Sequence, residues 1–474
     1  MDGIAGNKYP QVLILTLIFF SFFNCRAEPQ YQEEMKEMTM NLSWYIDSEG
    51  GNDNNNGKSP ELAWKSLSKL DNIQLLPGAR IHFKRGSVFT ESLCIKDSGT
   101  KGKNIILTDY GDLNAPAPEF TNPVFDPENK KYGNCIRIKG SHIIVENLYF
   151  TNTTAELPEN TGGFLTMWEL GAIFIDKSAK YCIVRNNELY NCGVGIKSYG
   201  KHILITDNYI HDCNRVLKKW NWGPIGIWLG SDHQEVCYNR IINYSTVDPR
   251  INWGPDAYGG GADGGAIEID DARNDKHNIS IHHNYSRDCQ GFLEVTWSDV
   301  EQKPDYRNFK IHHNVSDDYQ QFIALWRGAN CKIDNNTIIR RKRNVNDWGV
   351  FNITQYNSNN LIRNNIIITE KNIVIFNVGK NANAQPNSVI ENNIYWAASH
   401  DLIIGMEGPG ASSIIENPKL LNYSKRSSAK NFSLTNKSPA IDSGLDLGYE
   451  NDFEGNKIPQ GIAPDIGAFE FSKQ

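Results

Sequence analysis

Residues 281–296 read Ile-His-His-Asn-Tyr-Ser-Arg-Asp-Cys-Gln-Gly-Phe-Leu-Glu-Val-Thr, and Ile311-His312-His313-Asn314 repeats the opening. The phrase is an apolar alternation, one or two polar residues, and then Asn. It recurs on both sides. Upstream lie Ile144-Val145-Glu146-Asn147-Leu148, Ile183-Val184-Arg185-Asn186-Asn187, Ile205-Thr206-Asp207-Asn208 and Cys237-Tyr238-Asn239. Downstream lie Ile333-Asp334-Asn335-Asn336, Ile362-Arg363-Asn364-Asn365 and Ile390-Glu391-Asn392-Asn393. Taking the last Asn of each phrase, the intervals are 40, 21, 31, 45, 30, 22, 29 and 28 residues. A shortest unit near 21 residues, lengthened by insertions, is the period of one coil of a right-handed parallel β-helix. Leucine-rich repeats would carry Leu at fixed offsets and propellers four strands per blade, and neither pattern is present. A turn that places Asn inward lets each side chain hydrogen-bond the next along the stack, which satisfies polar groups that burial would otherwise isolate.

The Asn turns also set the register of the strand that follows each of them. These strands are Ala172–Asp176, Gly195–Tyr199, Gly226–Gly230, Ala266–Asp270, Phe292–Thr296, Phe322–Trp326 and Val350–Thr354. Strand side chains alternate, so Ile267, Ile269, Leu293, Val295, Ile323 and Leu325 are expected to point into the helix. Two outward columns remain. One reads Phe174, Lys197, Trp228, Glu268, Glu294, Ala324 and Asn352; the other reads Asp176, Tyr199, Gly230, Asp270, Thr296, Trp326 and Thr354.

Composition narrows the function classes. The chain has 474 residues, of which 39% are apolar, 11% aromatic and 22% charged, which suits a large folded core. The net charge is -7, with no Lys/Arg block, so a nucleic-acid or anionic-membrane surface is not expected. Val12 to Phe23 is an apolar run of 12 residues, the length of a signal-peptide core rather than of a bilayer span. Export is therefore expected, to the cell surface, the periplasm or the medium. Either cleavage follows Ala27, or Cys25 carries a lipid, which would be the only membrane attachment. The nine cysteines form no C-x-x-C pair and stand beside no metal-spaced histidines, so no metal site is expected. Free, buried thiols are expected in place of disulfides. The His pairs 282/283 and 312/313 share one register in successive coils and read as a stacked ladder. The organisation expected is a signal peptide at 1–27, an N-terminal cap with the first strands at 28–112, the β-helix with its catalytic face at 113–420, and a capping segment at 421–474.

Both ends support this. Trp44-Tyr45-Ile46-Asp47, Ala63-Trp64-Lys65-Ser66-Leu67 and Leu76-Pro77-Gly78-Ala79-Arg80-Ile81 open the folded part, and Pro464-Asp465-Ile466-Gly467-Ala468-Phe469-Glu470 closes it. These segments resemble the ends of secreted bacterial proteins of the pectate-lyase-like β-helix superfamily, a resemblance that covers residues 42 to 472. It implies a carbohydrate-active enzyme acting on acidic or complex polysaccharides.

Coils stack about 4.8 Å apart, which puts Glu268 directly beside Glu294 with Asp270 on the same face. A retaining glycosidase needs two carboxyl groups about 5–5.5 Å apart and an inverting one about 6.5–9.5 Å, and the pairs Glu268/Glu294 and Asp270/Glu294 suit these in turn. Crowded carboxylates repel, which raises one pKa and supplies a protonated acid. The insertions add Trp222, Trp253 and Tyr258, and the columns add Trp228 and Trp326, as flat faces for sugar rings. Lys197 and Arg327 suit an acidic sugar. The segment Asp263-Gly-Gly-Ala-Ile-Glu268-Ile-Asp270 is similar to the acidic strand of the β-helix glycoside hydrolases, including the lacto-N-biosidase, β-xylosidase and α-fucosidase families. The resemblance implies acid/base and nucleophile roles among Asp263, Glu268, Asp270 and Glu294. Asp271 stands where related sequences often have Gly.

The expected function is hydrolysis of glycosidic bonds in a polysaccharide or oligosaccharide, with no cofactor. Two alternatives stay open. A polysaccharide lyase would need calcium or Arg327 to neutralise a uronate, and Lys197 or Lys276 as base. Glu268-x-Asp270 followed by Lys276 loosely resembles the chondroitinase B and alginate lyase family, although that family's Lys-Ser-x-x-Asn pattern is missing. A non-catalytic glycan-binding protein would keep the aromatic groove without needing the acidic column.

Overall fold

The computed structural model describes residues 42–122, 124–126, 129, 131–153, 169–213, 222–245, 263–271, 274–295, 305–341, 349–370, 372–378, 388–405 and 408–472, without the side chains of 222, 223, 263, 264, 326 and 354–356. Cys25, Trp253 and Tyr258 lie outside the described residues. No helix among the described residues is long and apolar enough to cross a membrane.

The chain forms a right-handed parallel β-helix of three sheets, each of 12 strands, with every helical pairing parallel. A typical coil contributes one strand to each sheet, as Ile203–Thr206, Tyr209–Cys213 and Trp222–Leu229 do. The inward residues of all three sheets meet in one continuous core, in which Ile196, Ile227, Ile267, Leu293, Ile323 and Phe351 stack coil upon coil. The eight cysteines from Cys94 onward are free thiols, and all but Cys94 are buried.

The corner between the first and second sheets explains the Asn phrase residue by residue. Its first position adopts the left-handed conformation: Asn186, Asp207, Tyr238, His283, His313, Asn335, Asn364 and Asn392 all have φ between 50° and 56°. Asn, Asp and His tolerate that region better than other side chains. The next residue turns inward and builds the ladder. Asn187, Asn208, Asn239, Asn284, Asn314, Asn336 and Asn365 each donate Nδ2–H to Oδ1 of the Asn one coil on, at 2.9–3.1 Å, and Asn393 ends the row. One expectation is corrected here. Asn147 is not a rung: it takes the left-handed corner at φ 62°, and Leu148 occupies the inward position, its N–H donating to Asn187 Oδ1 at 3.1 Å.

The His pairs split in the same way. His282 and His312 stack on the outer side of the corner with centroids 4.9 Å apart and planes within 3°, and His283 stacks on His313 at 5.4 Å. Burial holds His283 down to about 4 and drives His312 and His313 well below the ordinary imidazole value, with their neighbouring imidazoles adding to the effect. Unfolded, the same groups take up protons as the pH drops through about 6.5. Below that pH the unfolded chain binds more protons, so stability falls towards pH 4, and above it these groups contribute no pH dependence. Urea midpoints at pH of about 7.5 and about 5 check this. His313→Asn, which suits the left-handed corner, should reduce the difference between them.

The C-terminal segment does more than close the last coil. It runs back along the flank of the helix, where Phe432, Ile466, Ala468 and Phe469 pack on the outward residues Ile339, Ile366 and Ile368. Arg426 bonds Asp317 and Asp288, and Tyr449 donates to Asp334 at 3.0 Å. The outer side of the second sheet is thereby covered in these coils.

Candidate functional site

The third sheet carries the outward column in the expected register. Cα pairing runs Phe174 to Lys197, Lys197 to Trp228, Trp228 to Glu268, Glu268 to Glu294, Glu294 to Ala324 and Ala324 to Asn352. Glu268 lies mid-strand in Asp263–Ile269 and Glu294 at the centre of Leu293–Val295. Both are flanked by inward residues that are at most 1% exposed, so the backbone at each carboxylate is held from beneath.

The column is buried although it faces away from the core. Lys197 is 1% exposed, Trp228 0%, and Glu268, Asp270 and Glu294 are each 4% exposed. The first sheet's outward residues differ, with Glu235, Lys310 and Lys332 exposed. Burial is costly for charged groups unless they meet one another. Here they do. The Lys197 Nζ lies 2.8 Å from the centroid of the Trp228 ring. Burial pushes the Lys197 amine well below the ordinary lysine value, against the opposing pull of Glu268, Asp270, Asp271 and Glu169.

Beside the column, Asp270 directly follows the strand Asp263–Ile269, with its N–H donating to Leu229 O at 3.1 Å. Asp271 follows at φ 78° and is fully buried. That left-handed angle explains why Gly is common at such a position, and Asp is among the few side chains that tolerate it. Lys276 is buried and donates to the carbonyls of Asp271 and Asn274, so it braces the bend after the acidic strand. Tyr306 is held high by burial and then by the charges of Asp270 and Asp271. Arg327 is half-buried in Ile323–Ala329, beyond a register shift after Leu325.

Of the site residues read from sequence, the structure brings together Lys197, Trp228, Glu268, Asp270 and Glu294. Trp222 and Asp263 are register partners at the starts of neighbouring strands, and Trp326 lies within Ile323–Ala329, but the side chains of all three are outside the described part. Trp228 differs from the open sugar platform expected: its ring is fully buried, with the Lys197 amine on its face.

Several contributors were missed by sequence reasoning. A cavity of about 560 Å³ runs along the same outer face, lined by Arg137, Glu169, Phe174, Tyr199, Lys201 and Gly230 among others. A second, of about 600 Å³, shares Arg137 and Glu169 and reaches back to Cys94 and Tyr132. Arg137 is fixed between Glu169 and Asp176 at 2.7 and 3.1 Å, with its guanidinium over Phe174. Tyr199 joins this groove to the column, with its ring edge-on to Trp228 at 5.7 Å. The column register itself was the available signal, since Arg137 and Phe174 occupy the two coils before Lys197.

Parallel coils and an Asn ladder define a β-helix, and a buried acidic column marks one of its outer faces. No protein-family model matches the chain. A lacto-N-biosidase of Bifidobacterium longum subsp. longum is 26% identical over 230 residues, 43% of this chain, but the match spans only 14% of that protein's length. Among solved structures, pectate lyase Pel9A superposes with a TM-score of 0.54 at 15% identity, covering 91% of this chain and 96% of that one. The complex of XylC with xylose gives 0.55 at 11% identity, covering 91% and 99%. At these identities the likeness establishes the fold, one shared by carbohydrate-active enzymes that include lyases and hydrolases.

Proposed function

We propose that this protein is a glycoside hydrolase acting on a complex oligosaccharide or polysaccharide, with Glu268 and Glu294 as its carboxylate pair. One observation carries the reading: the two side chains are register partners on adjacent coils, both buried on the outer face. Adjacent strands lie about 4.8 Å apart. That spacing favours a retaining reaction, which needs about 5–5.5 Å between carboxyl groups. In that scheme one carboxyl protonates the leaving oxygen while the other attacks the anomeric carbon. The first then activates water to release the sugar. Asp270 adds negative charge beside the pair, which favours keeping one of them protonated. The groove past Tyr199 and Arg137 suits further sugar units of the substrate, and export, as expected from the apolar run Val12 to Phe23, would fit such a substrate. The weak similarity to a lacto-N-biosidase supports hydrolysis.

One observation favours a second reading. The buried Lys197 amine, pushed down toward its neutral form, has the character of a base that removes a proton beside a uronate. In that reaction Glu268, Asp270 and Glu294 would supply the oxygen donors that calcium prefers, and the ion would neutralise the uronate carboxylate.

Incubation with a panel of plant, algal and host glycans separates the readings. A hydrolase yields reducing ends without unsaturated-uronate absorbance, unaffected by a calcium chelator. Lys197→Met should retain activity within about tenfold, whereas a lyase that uses it as base loses about 10²–10⁴-fold. Absorbance that appears with cleavage and vanishes with the chelator would overturn the hydrolase reading.

A further inference from the structure

The first sheet carries a different cluster on its outer face. Glu235 and Cys237 belong to the strand Gln234–Cys237, and His282 to Ser280–His282, one coil on. Cys237 and His282 are register partners. The His282 Nε2 lies 3.1 Å from Glu235 Oε1, and the Cys237 Sγ lies 3.9 Å from the same oxygen. One ligand atom from each of the three residues falls within 4.8 Å of the other two. Ligands 2.0 to 2.3 Å from a tetrahedral zinc ion lie about 3.3–3.8 Å from one another, so modest side-chain rotation closes this trio on one ion.

The hydrogen bonds fix which His282 nitrogen is available. His283 Nε2 meets the carbonyl of Asp452 at 2.9 Å, and a carbonyl only accepts, so that nitrogen carries the proton. The Nδ1 atoms of His283 and His282 lie 2.8 Å apart, so His283 occupies that side of the His282 ring and leaves Nε2 facing Glu235. The His282 Nε2 faces a Glu235 carboxylate oxygen at 3.1 Å, a contact that a metal ion can bridge in place of a proton. A ligating imidazole whose other N–H is held by a partner is the arrangement found around protein-bound metals.

We propose that Glu235, Cys237 and His282 bind one divalent transition ion of the zinc class, with solvent in the fourth position. The donor set of one sulfur, one nitrogen and one oxygen selects a borderline ion over calcium or magnesium. Cys237 enters as the thiolate, and its proton leaves to solvent as the metal–sulfur bond forms. In the free protein burial pushes this thiol up to about 12, and its sulfur also lies 3.4 Å from Thr206 Oγ1. The site departs from the sequence expectation of no metal because its ligands come from different coils. Glu235 and Cys237 precede the 45-residue interval between Asn239 and Asn284, and His282 stands at its end. Binding would clip the two coils together across the longest insertion in the helix, which lowers the entropy of the open chain.

The test is a cobalt titration of the full-length chain. The expected result is one Co²⁺ bound per chain, with tetrahedral d–d bands and a thiolate-to-cobalt charge-transfer band, both displaced by Zn²⁺. Cys237→Ser should abolish the charge-transfer band, and Glu235→Gln, at an exposed side chain, should weaken binding without loss of fold. His283→Phe, which removes the partner of the ligand, should weaken it about 10- to 100-fold. Cys94→Ser should leave the spectrum unchanged. No spectrum at stoichiometric cobalt, or one that survives both Cys237→Ser and Glu235→Gln, overturns the proposal and leaves His282 and Glu235 as a hydrogen-bonded pair.

Discussion

Glu294→Gln is expected to lower turnover by about 10³-fold or more while leaving the fold intact, because the amide keeps the shape of the carboxyl but can neither attack nor shuttle a proton. Glu294 lies at the centre of its strand between Leu293 and Val295, which stay locked in the core whatever the outward side chain. Far-ultraviolet dichroism should therefore be unchanged. Glu268→Gln should be comparably inactive if the two act as a pair, and the double variant should lose little beyond either single one. A loss confined to KM would show instead that these carboxylates only bind substrate. Asp270→Asn separates the alternatives further: as a neighbouring charge it should alter the pH profile more than the maximal rate. A profile that keeps its shape while the rate collapses would place Asp270 in the pair.

The second large effect is on stability. Asn314 accepts from the backbone N–H and side-chain amide of Asn284 at 3.0 and 3.1 Å, and donates to Ile281 O and Asn336 Oδ1. Asn314→Ala takes the partner from the backbone N–H of Asn284 and from the carbonyl of Ile281 in a dry interior, at about 1–3 kcal/mol each, while the Asn284 amide keeps Val236 O and His282 O. A loss of about 3–6 kcal/mol is expected from urea unfolding. Asn308→Ala, at an exposed left-handed position with φ 61°, should cost only about 1–2 kcal/mol. Equal losses at the two positions would mean that the ladder contributes no more than its turns do.

The coil register was legible because an inward Asn restates the phase once per coil, whatever the length of the insertion before it. From that phase, strand alternation alone predicted Lys197, Trp228, Glu268 and Glu294 as one column. Alternation says which way a side chain points, but not what covers it. The burial of Trp228 was therefore out of reach, as was the return of residues 426–469 along the flank. Asn147 was misread because a left-handed corner and an inward rung both favour Asn, and only the following Leu148 tells them apart. Arg137, Glu169 and Tyr199 were missed for another reason: they surround a cavity assembled from several coils, and no local motif marks it. The Glu235, Cys237 and His282 cluster is of the same kind, since its spacing in sequence is set by an insertion rather than by a ligand motif.

In a glycoside hydrolase water, not elimination, cleaves the bond. Cleavage of a susceptible glycan in oxygen-18 water, followed by mass spectrometry, tests it directly. One labelled oxygen at each new reducing end, absent with Glu294→Gln, is the predicted result. Unlabelled products, half of them lighter by one water and carrying a double bond, would contradict it.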